Sequence, residues 1–221
     1  MNLGIRGHLA PLVAPLRRCA KYFSTPRAQN DYATHIPILI GLARLREIRN
    51  VLEFGCGNYS TLTFLNRGAF PHLQRLLSIE NDAEWAETLC KTAKDDTRWR
   101  LYLVEGEICD SVAQLDLEAF DLILIDDSKT SAQRAATIRN VVGKQPQHPW
   151  IVIHDFEVEE YQRSASGFRQ RYRFKAYNPD TGLFWNNGSG PSRLRSFRRT
   201  LNNNAKALHP DDVSGWINTF R

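Results

Sequence analysis

The chain lacks any apolar run approaching the ~20 residues that a membrane-spanning helix needs, so no transmembrane segment is expected. Cysteine is scarce: Cys19, Cys56, Cys90 and Cys109 stand far apart and form no CxxC pair. Reduced thiols in the cytoplasm are the reading this favours. Two prolines interrupt the apolar segment from Leu9 to Leu16 and no small-residue cleavage site follows, so a secretory signal is not expected either. Internal repeats and low-complexity tracts are absent as well, which leaves hydrophobic periodicity and turn residues to define the fold.

Acidic residues are missing from the first 30 positions, which hold Arg6, Arg17, Arg18, Lys21 and Arg27. Over the 221 residues the net charge of +5 is unevenly divided: +5 in residues 1–30, −8 in 31–160 and +8 in 161–221. A chain of this length can bury one sizeable core. The expected organisation is a basic N-terminal extension (1–30), a central globular domain (31–190) and a basic, helical C-terminal tail (191–221). The acid-free start also suits an organelle-targeting segment or a helix lying on an anionic membrane surface. A basic pI invites a nucleic-acid partner, but that needs charge gathered on one face. Only the C-terminal quarter offers it, and no RNA-binding motif accompanies it.

Strands and helices alternate along the centre of the chain. A helix is predicted over Ile36 to Ile48, then a strand over Val51 to Phe54 and a helix over Ser60 to Asn66. A second strand, Leu76 to Ile79, ends in Glu80 and leads into a helix over Asp82 to Ala93 with Asp82 near its N-cap. Further strands are predicted at Leu101–Val104, Phe120–Ile125 and Ile151–Ile153. Short apolar runs of this kind suit a sheet covered on both faces, and the alternation implies right-handed crossovers in a doubly wound, mostly parallel α/β sheet. Arg173 to Tyr177 and Gly182 to Trp185, separated by Asn178-Pro179-Asp180-Thr181, predict a closing antiparallel hairpin.

In such sheets ligands bind outside the carboxyl ends of the strands, where strand order reverses. Glu53 to Thr61, Glu80, Glu107, Asp126 and Asp155 all fall there. Gly55 and Gly57 let the backbone turn tightly toward a ligand, and the helix that follows offers N–H groups to a carboxylate. The loop departs from a dinucleotide fingerprint, because Ser60 stands where the third glycine belongs and Glu53 precedes the first. Glu80 follows Gly57 by 23 residues, a spacing suited to a carboxylate that receives ribose hydroxyls.

Val51-Leu52-Glu53-Phe54-Gly55-Cys56-Gly57 and Leu77-Ser78-Ile79-Glu80 resemble the glycine motif and the ribose-binding strand of the class I S-adenosylmethionine-dependent methyltransferases. The resemblance spans residues 31 to 185. It implies a Rossmann-like fold, S-adenosylmethionine as cofactor and methyl transfer to an oxygen or nitrogen of a small or acidic acceptor. It also implies cofactor contacts from Glu53, Gly55, Gly57, Tyr59, Ser60, Thr61, Glu80, Glu107 and Asp126, with Glu53 near the methionyl ammonium and Glu107 near the adenine. The family's usual glycine after Gly-x-Gly is replaced by Asn58-Tyr59-Ser60-Thr61.

Asp126 and Asp127 end one predicted strand and His154-Asp155 the next, so ionisable groups converge where the methyl group is expected. Asp126, His154 and Asp155 are the catalytic candidates, with His154 or Asp155 as general base. Small catechol-type relatives ligate magnesium with aspartates at the places of Asp126 and Asp155. Phe156 stands where their asparagine follows, so a metal is not favoured here. Asp127 and Asp155 also suit helix capping, His154 a satisfied core position and His35 a helix start. Beyond the fifth strand Arg163, Arg169, Arg171, Arg173 and Lys175 interleave with Phe168, Tyr172, Phe174 and Tyr177, Arg193, Arg195, Arg198 and Arg199 follow, and the set suits an acidic acceptor or a solvated face. An NAD-dependent oxidoreductase and a catalytically silent binding partner of the same fold are the other readings.

Overall fold

In the computed structural model, which describes residues 31–93, 95–127, 130–187 and 199–200, the strands are β1 (Asn50–Phe54), β2 (Arg75–Glu80), β3 (Trp99–Leu103), β4 (Leu122–Ile125), β5 (Trp150–Ile153), β6 (Gln170–Phe174) and β7 (Thr181–Trp185). They form one seven-stranded sheet in the order β3-β2-β1-β4-β5-β7-β6. β1 to β5 pair in parallel. β7 runs antiparallel to both β5 and β6, closing the sheet with the expected hairpin. The basic segments 1–30 and 191–198, with Arg193, Arg195 and Arg198, and the tail from 201 onward lie outside the described residues.

Side chains alternate across a strand, and β4 shows what that does in a sheet covered on both faces. All four of its residues are buried. Leu122 and Leu124 join one core with Val51, Leu76 and α1 (Ile36–Ala43). Ile123 and Ile125 join the opposite core with Leu52, Phe54, Ile79 and the apolar face of a later helix, Ser131–Gly143. Between them lie α2 (Ser60–Leu65), α3 (Ala83–Ala93) and α4 (Ile108–Ser111); the helix Ser131–Gly143 is α5, and Glu159–Ser164 forms α6.

Several boundaries differ from expectation for identifiable reasons. α1 stops at Ala43 rather than Ile48, because the chain turns with Leu45 at the surface and buries Ile48 from outside the helix. β6 lies three residues earlier than its apolar pattern suggests: Phe174 pairs with Thr181, and Tyr177 packs on the Phe174 ring from the turn. β3 begins at Trp99, whose indole N–H donates to Ser78 Oγ at 2.9 Å. Asp82 caps α3 as expected, accepting from Trp85 N at 3.0 Å. Among the described residues no helix is long and apolar enough to cross a membrane, and Cys56, Cys90 and Cys109 are free thiols.

Candidate active site

Strand order reverses between β1 and β4, and a cavity of about 1300 Å³ opens at the carboxyl ends of these strands and of β2 and β5. That volume exceeds a typical small-ligand pocket of roughly 300–1,000 Å³ and can hold a nucleoside cofactor beside a second molecule. Gly55, Gly57, Tyr59, Ser60, Glu80, Asp126, His154 and Asp155 line it, as do Asp31, Tyr32, His35, Trp85, Gln133 and Arg134.

The glycine loop is shaped by a close backbone crossing. Gly55 has φ +82°, and a Cβ placed there would lie 2.5 Å from the Asp126 carbonyl oxygen. Only glycine meets both demands. Glu80, 7% exposed, ties this loop to β2. Its Oε2 accepts from Cys56 N at 3.1 Å, and its Oε1 accepts from Asn81 N at 2.8 Å and Asp82 N at 2.9 Å. Three backbone amides fix the orientation of this carboxylate. Trp85 adds a clamp, its Nε1 donating to Cys56 O at 2.6 Å.

Glu53 occupies a different place from the one its motif suggests. It shares the β1 face of Val51 and lies fully buried. Its Oε2 accepts from Thr61 Oγ1 at 2.7 Å and from Ser78 Oγ at 2.6 Å. Thr61 Oγ1 in turn accepts from Gly57 N at 3.0 Å. Glu53 and Thr61 therefore brace the loop from beneath, and neither lines the cavity. Burial pushes the Glu53 carboxyl up to about 7, against its hydroxyl hydrogen bonds. Glu107 is exposed and also stands off the cavity, accepting from the lining residue Gln133 through Nε2 at 2.7 Å.

Asp126, His154 and Asp155 do converge, around an arginine the sequence reading overlooked. Arg134 Nη2 lies 3.0 Å from Asp126 Oδ1 and Nη1 lies 2.7 Å from Asp155 Oδ2, while Nε donates to the Asp127 carbonyl at 2.6 Å. His154 Nδ1 is 3.1 Å from Asp126 Oδ1, and its Nε2 is 2.8 Å from Thr34 Oγ1. Thr34 Oγ1 also lies 3.4 Å from Asp31 O. Burial alone would raise the Asp126 carboxyl, but the charges of His154 and Arg134 hold it well below the usual carboxylate range. Burial alone would lower His154, and Asp126 outweighs it, so the ring holds its proton above the usual histidine range. Asp127 turns the other way, its Oδ2 accepting from Thr137 Oγ1 at 2.6 Å inside α5's packing.

His35 starts α1 as expected, its carbonyl accepting from Ile38 and Leu39. Its side chain does more than start a helix, because the ring lines the cavity at 1% exposure and stands edge-on to His154 with centroids 4.7 Å apart. Neither ring nitrogen has a hydrogen-bond partner, and Nδ1 lies 4.0 Å from Asp126 Oδ2. Burial and the charge of His154 push it down to about 3, so the ring is neutral. Among the described residues the arginines and lysine after β5 do not line the cavity: Arg163 pairs with Glu159 and Arg173 with Asp180, while Arg169, Arg171 and Lys175 are exposed around β6.

The signal for Arg134 was present in principle. It stands at positions i, i+4 and i+7 with the buried Ile138 and Val141 of α5, and an arginine in an apolar helical stripe calls for buried carboxylate partners. That stripe is visible only once residues 131–143 are known to be helical.

No protein-family model and no curated protein matches the chain. Solved structures do. Human methyltransferase-like protein 13 in complex with SAH (S-adenosylhomocysteine) is 15% identical, with a TM-score of 0.55 over 78% of this chain and 92% of that one. Cofactor-bound Rv0187 from MTB is 20% identical, with a TM-score of 0.50 over 79% and 89%. Spermidine synthase from Thermotoga maritima is 16% identical, with a TM-score of 0.50 over 76% of this chain, which spans 64% of that enzyme. These likenesses show the fold: the Rossmann-like fold of class I S-adenosylmethionine-dependent methyltransferases.

Proposed function

We propose that the protein is an S-adenosylmethionine-dependent methyltransferase acting on an oxygen or nitrogen of a small acceptor. The observation that carries this reading is the charge of the cavity. Among the described residues Asp31, Glu80, Asp82, Glu84, Asp126 and Asp155 line it, against one arginine that already bridges two of them. An acid-lined cavity favours a cofactor with a sulfonium and an ammonium group. It opposes a dinucleotide, whose pyrophosphate brings about two negative charges to the same loop.

Glu80 Oε2 retains acceptor capacity beyond the loop amide and suits a ribose hydroxyl, which places the adenosine along Gly55–Gly57 and the sulfonium toward Asp126. Methyl transfer is an in-line displacement, and holding donor and acceptor in register can supply roughly 7–11 kcal/mol of the barrier. Asp126, ionised and anchored, orients the cationic end of the cofactor. A hydroxyl or amine acceptor must also lose a proton. Both ring nitrogens of His154 are engaged, Nδ1 with Asp126 and Nε2 with Thr34, so Asp155, 31% exposed at the wall, is the better acceptor for it.

Calorimetric titration tests the reading. One equivalent of S-adenosylhomocysteine is expected to bind, at least 10-fold more weakly to Glu80→Ala and to Gly57→Arg, with no saturable binding of NADH. Saturable NADH binding without S-adenosylhomocysteine binding supports the oxidoreductase instead. Cofactor binding without transfer of labelled methyl to any acceptor in a broad metabolite screen marks a silent member of the fold.

A further inference from the structure

Within the described residues His35, Asp126 and His154 each offer one ligand atom, and these atoms lie within 4.8 Å of one another. We propose that these three side chains form a binding site for a divalent transition-metal ion, with coordination positions left open toward the cavity. The set differs from an all-carboxylate site, and Asp155 is excluded from it because Arg134 holds its Oδ2.

Three features of the geometry support the assignment. First, His35 is 1% exposed and both its nitrogens lack a hydrogen-bond partner. A buried imidazole left that way calls for a specific partner nearby. Second, His35 Nδ1 faces Asp126 Oδ2 at 4.0 Å. Two ligands bonded to one tetrahedral ion at roughly 2.0–2.2 Å each stand about 3.3–3.6 Å apart, so a contraction of about half an ångström brings both onto the ion. Arg134 occupies the other oxygen, Oδ1, and leaves Oδ2 for the ion. Third, His154 is oriented as metal-bound histidines are: its Nε2 is hydrogen-bonded to Thr34 Oγ1 at 2.8 Å, which fixes the ring with Nδ1 turned to the cluster.

Two imidazole nitrogens and one carboxylate oxygen select a borderline cation such as zinc, cobalt, iron or manganese over magnesium or calcium, which prefer oxygen throughout. Three protein ligands leave room for a water or an acceptor oxygen. If methyl transfer is the reaction, which this part of the inference rests on, an ion here lowers the acceptor's hydroxyl pKa and holds its oxygen beside the sulfonium.

The test uses the full chain, stripped with chelator and titrated with zinc chloride by calorimetry and with cobalt chloride by visible absorption. The wild type is expected to bind one equivalent of each, with cobalt giving ligand-field bands in the visible. His35→Ala and His154→Ala are expected to lose at least 100-fold in affinity and to lose the bands, with circular dichroism confirming the fold. Should an alanine variant unfold, His35→Gln, which keeps polarity and lacks imidazole, serves in its place. Absence of stoichiometric uptake by the wild type, or a His35 variant that binds as tightly as wild type, overturns the site. S-adenosylhomocysteine titration of the same samples separates the two proposals: cofactor binding without metal refutes only the metal site, and metal binding without cofactor refutes only the methyltransferase reading.

Discussion

Two glycines in one loop carry different burdens. At Gly55 a side chain meets the Asp126 and Asp127 backbone at 2.5–2.8 Å with φ at +82°, whereas at Gly57 it meets only Ser60 Oγ at 3.5 Å. Gly55→Ala is therefore expected to destabilise the protein by roughly 2–4 kcal/mol, from backbone strain plus overpacking. Gly57→Ala should stay within about 1 kcal/mol of wild type. Urea denaturation of the two variants measures this, and equal losses contradict it. Glu53 gives a second test at this scale. Its folded value of about 7 lies above the ordinary 4.5, so the native state binds more protons than the unfolded state between these pH values. Its contribution is fully favourable below about pH 4.5 and is lost as pH rises through 7. Glu53→Gln, which stays neutral, should gain stability relative to wild type between pH 5 and 8, by up to about 3 kcal/mol. A difference in melting temperature that does not change with pH refutes it.

Among the elements, α5 does the most to assemble the site, because its first turn delivers Arg134 between Asp126 and Asp155. Arg134→Met leaves two partly buried carboxylates facing each other and is expected to cost about 3 kcal/mol. Arg134→Lys should recover part of this, since one ammonium cannot reproduce the fork to both aspartates and the Asp127 carbonyl. Chemical denaturation checks both, and a methionine variant as stable as wild type contradicts the role. α5 is also where reading the sequence falls short. The strands announce themselves as apolar runs ending in Gly or acid, so β1, β2, β4 and β5 and their terminal residues were legible. α5 carries an arginine within its buried stripe and lacks a clean apolar period, so the helix and its arginine stay hidden together. Glu53 was legible as part of the motif, yet its direction was not. That depends on strand alternation placing it with Val51 beneath α2, on top of Ser78.

On the scale of the molecule, parallel strands ending side by side gather Asp31, Tyr32, His35, residues 55–60 and 80–85, Asp126, Gln133, Arg134, His154 and Asp155 around one cavity. No local pattern could join Thr34 and His35, ahead of β1, to His154 at the end of β5, because their contact spans 120 residues between Thr34 and His154. Ligand linkage offers a global readout: at 100 times its dissociation constant S-adenosylhomocysteine should stabilise the fold by about 2.7 kcal/mol, seen as a rise in melting temperature that Glu80→Ala suppresses. The most direct measurement is a crystal structure of the protein soaked with S-adenosylhomocysteine. The expected result is adenosine along Gly55–Gly57, a ribose hydroxyl on Glu80 and the sulfur turned toward Asp126 and His35. A ligand seated elsewhere, or one whose ribose leaves Glu80 untouched, contradicts the proposed cofactor site.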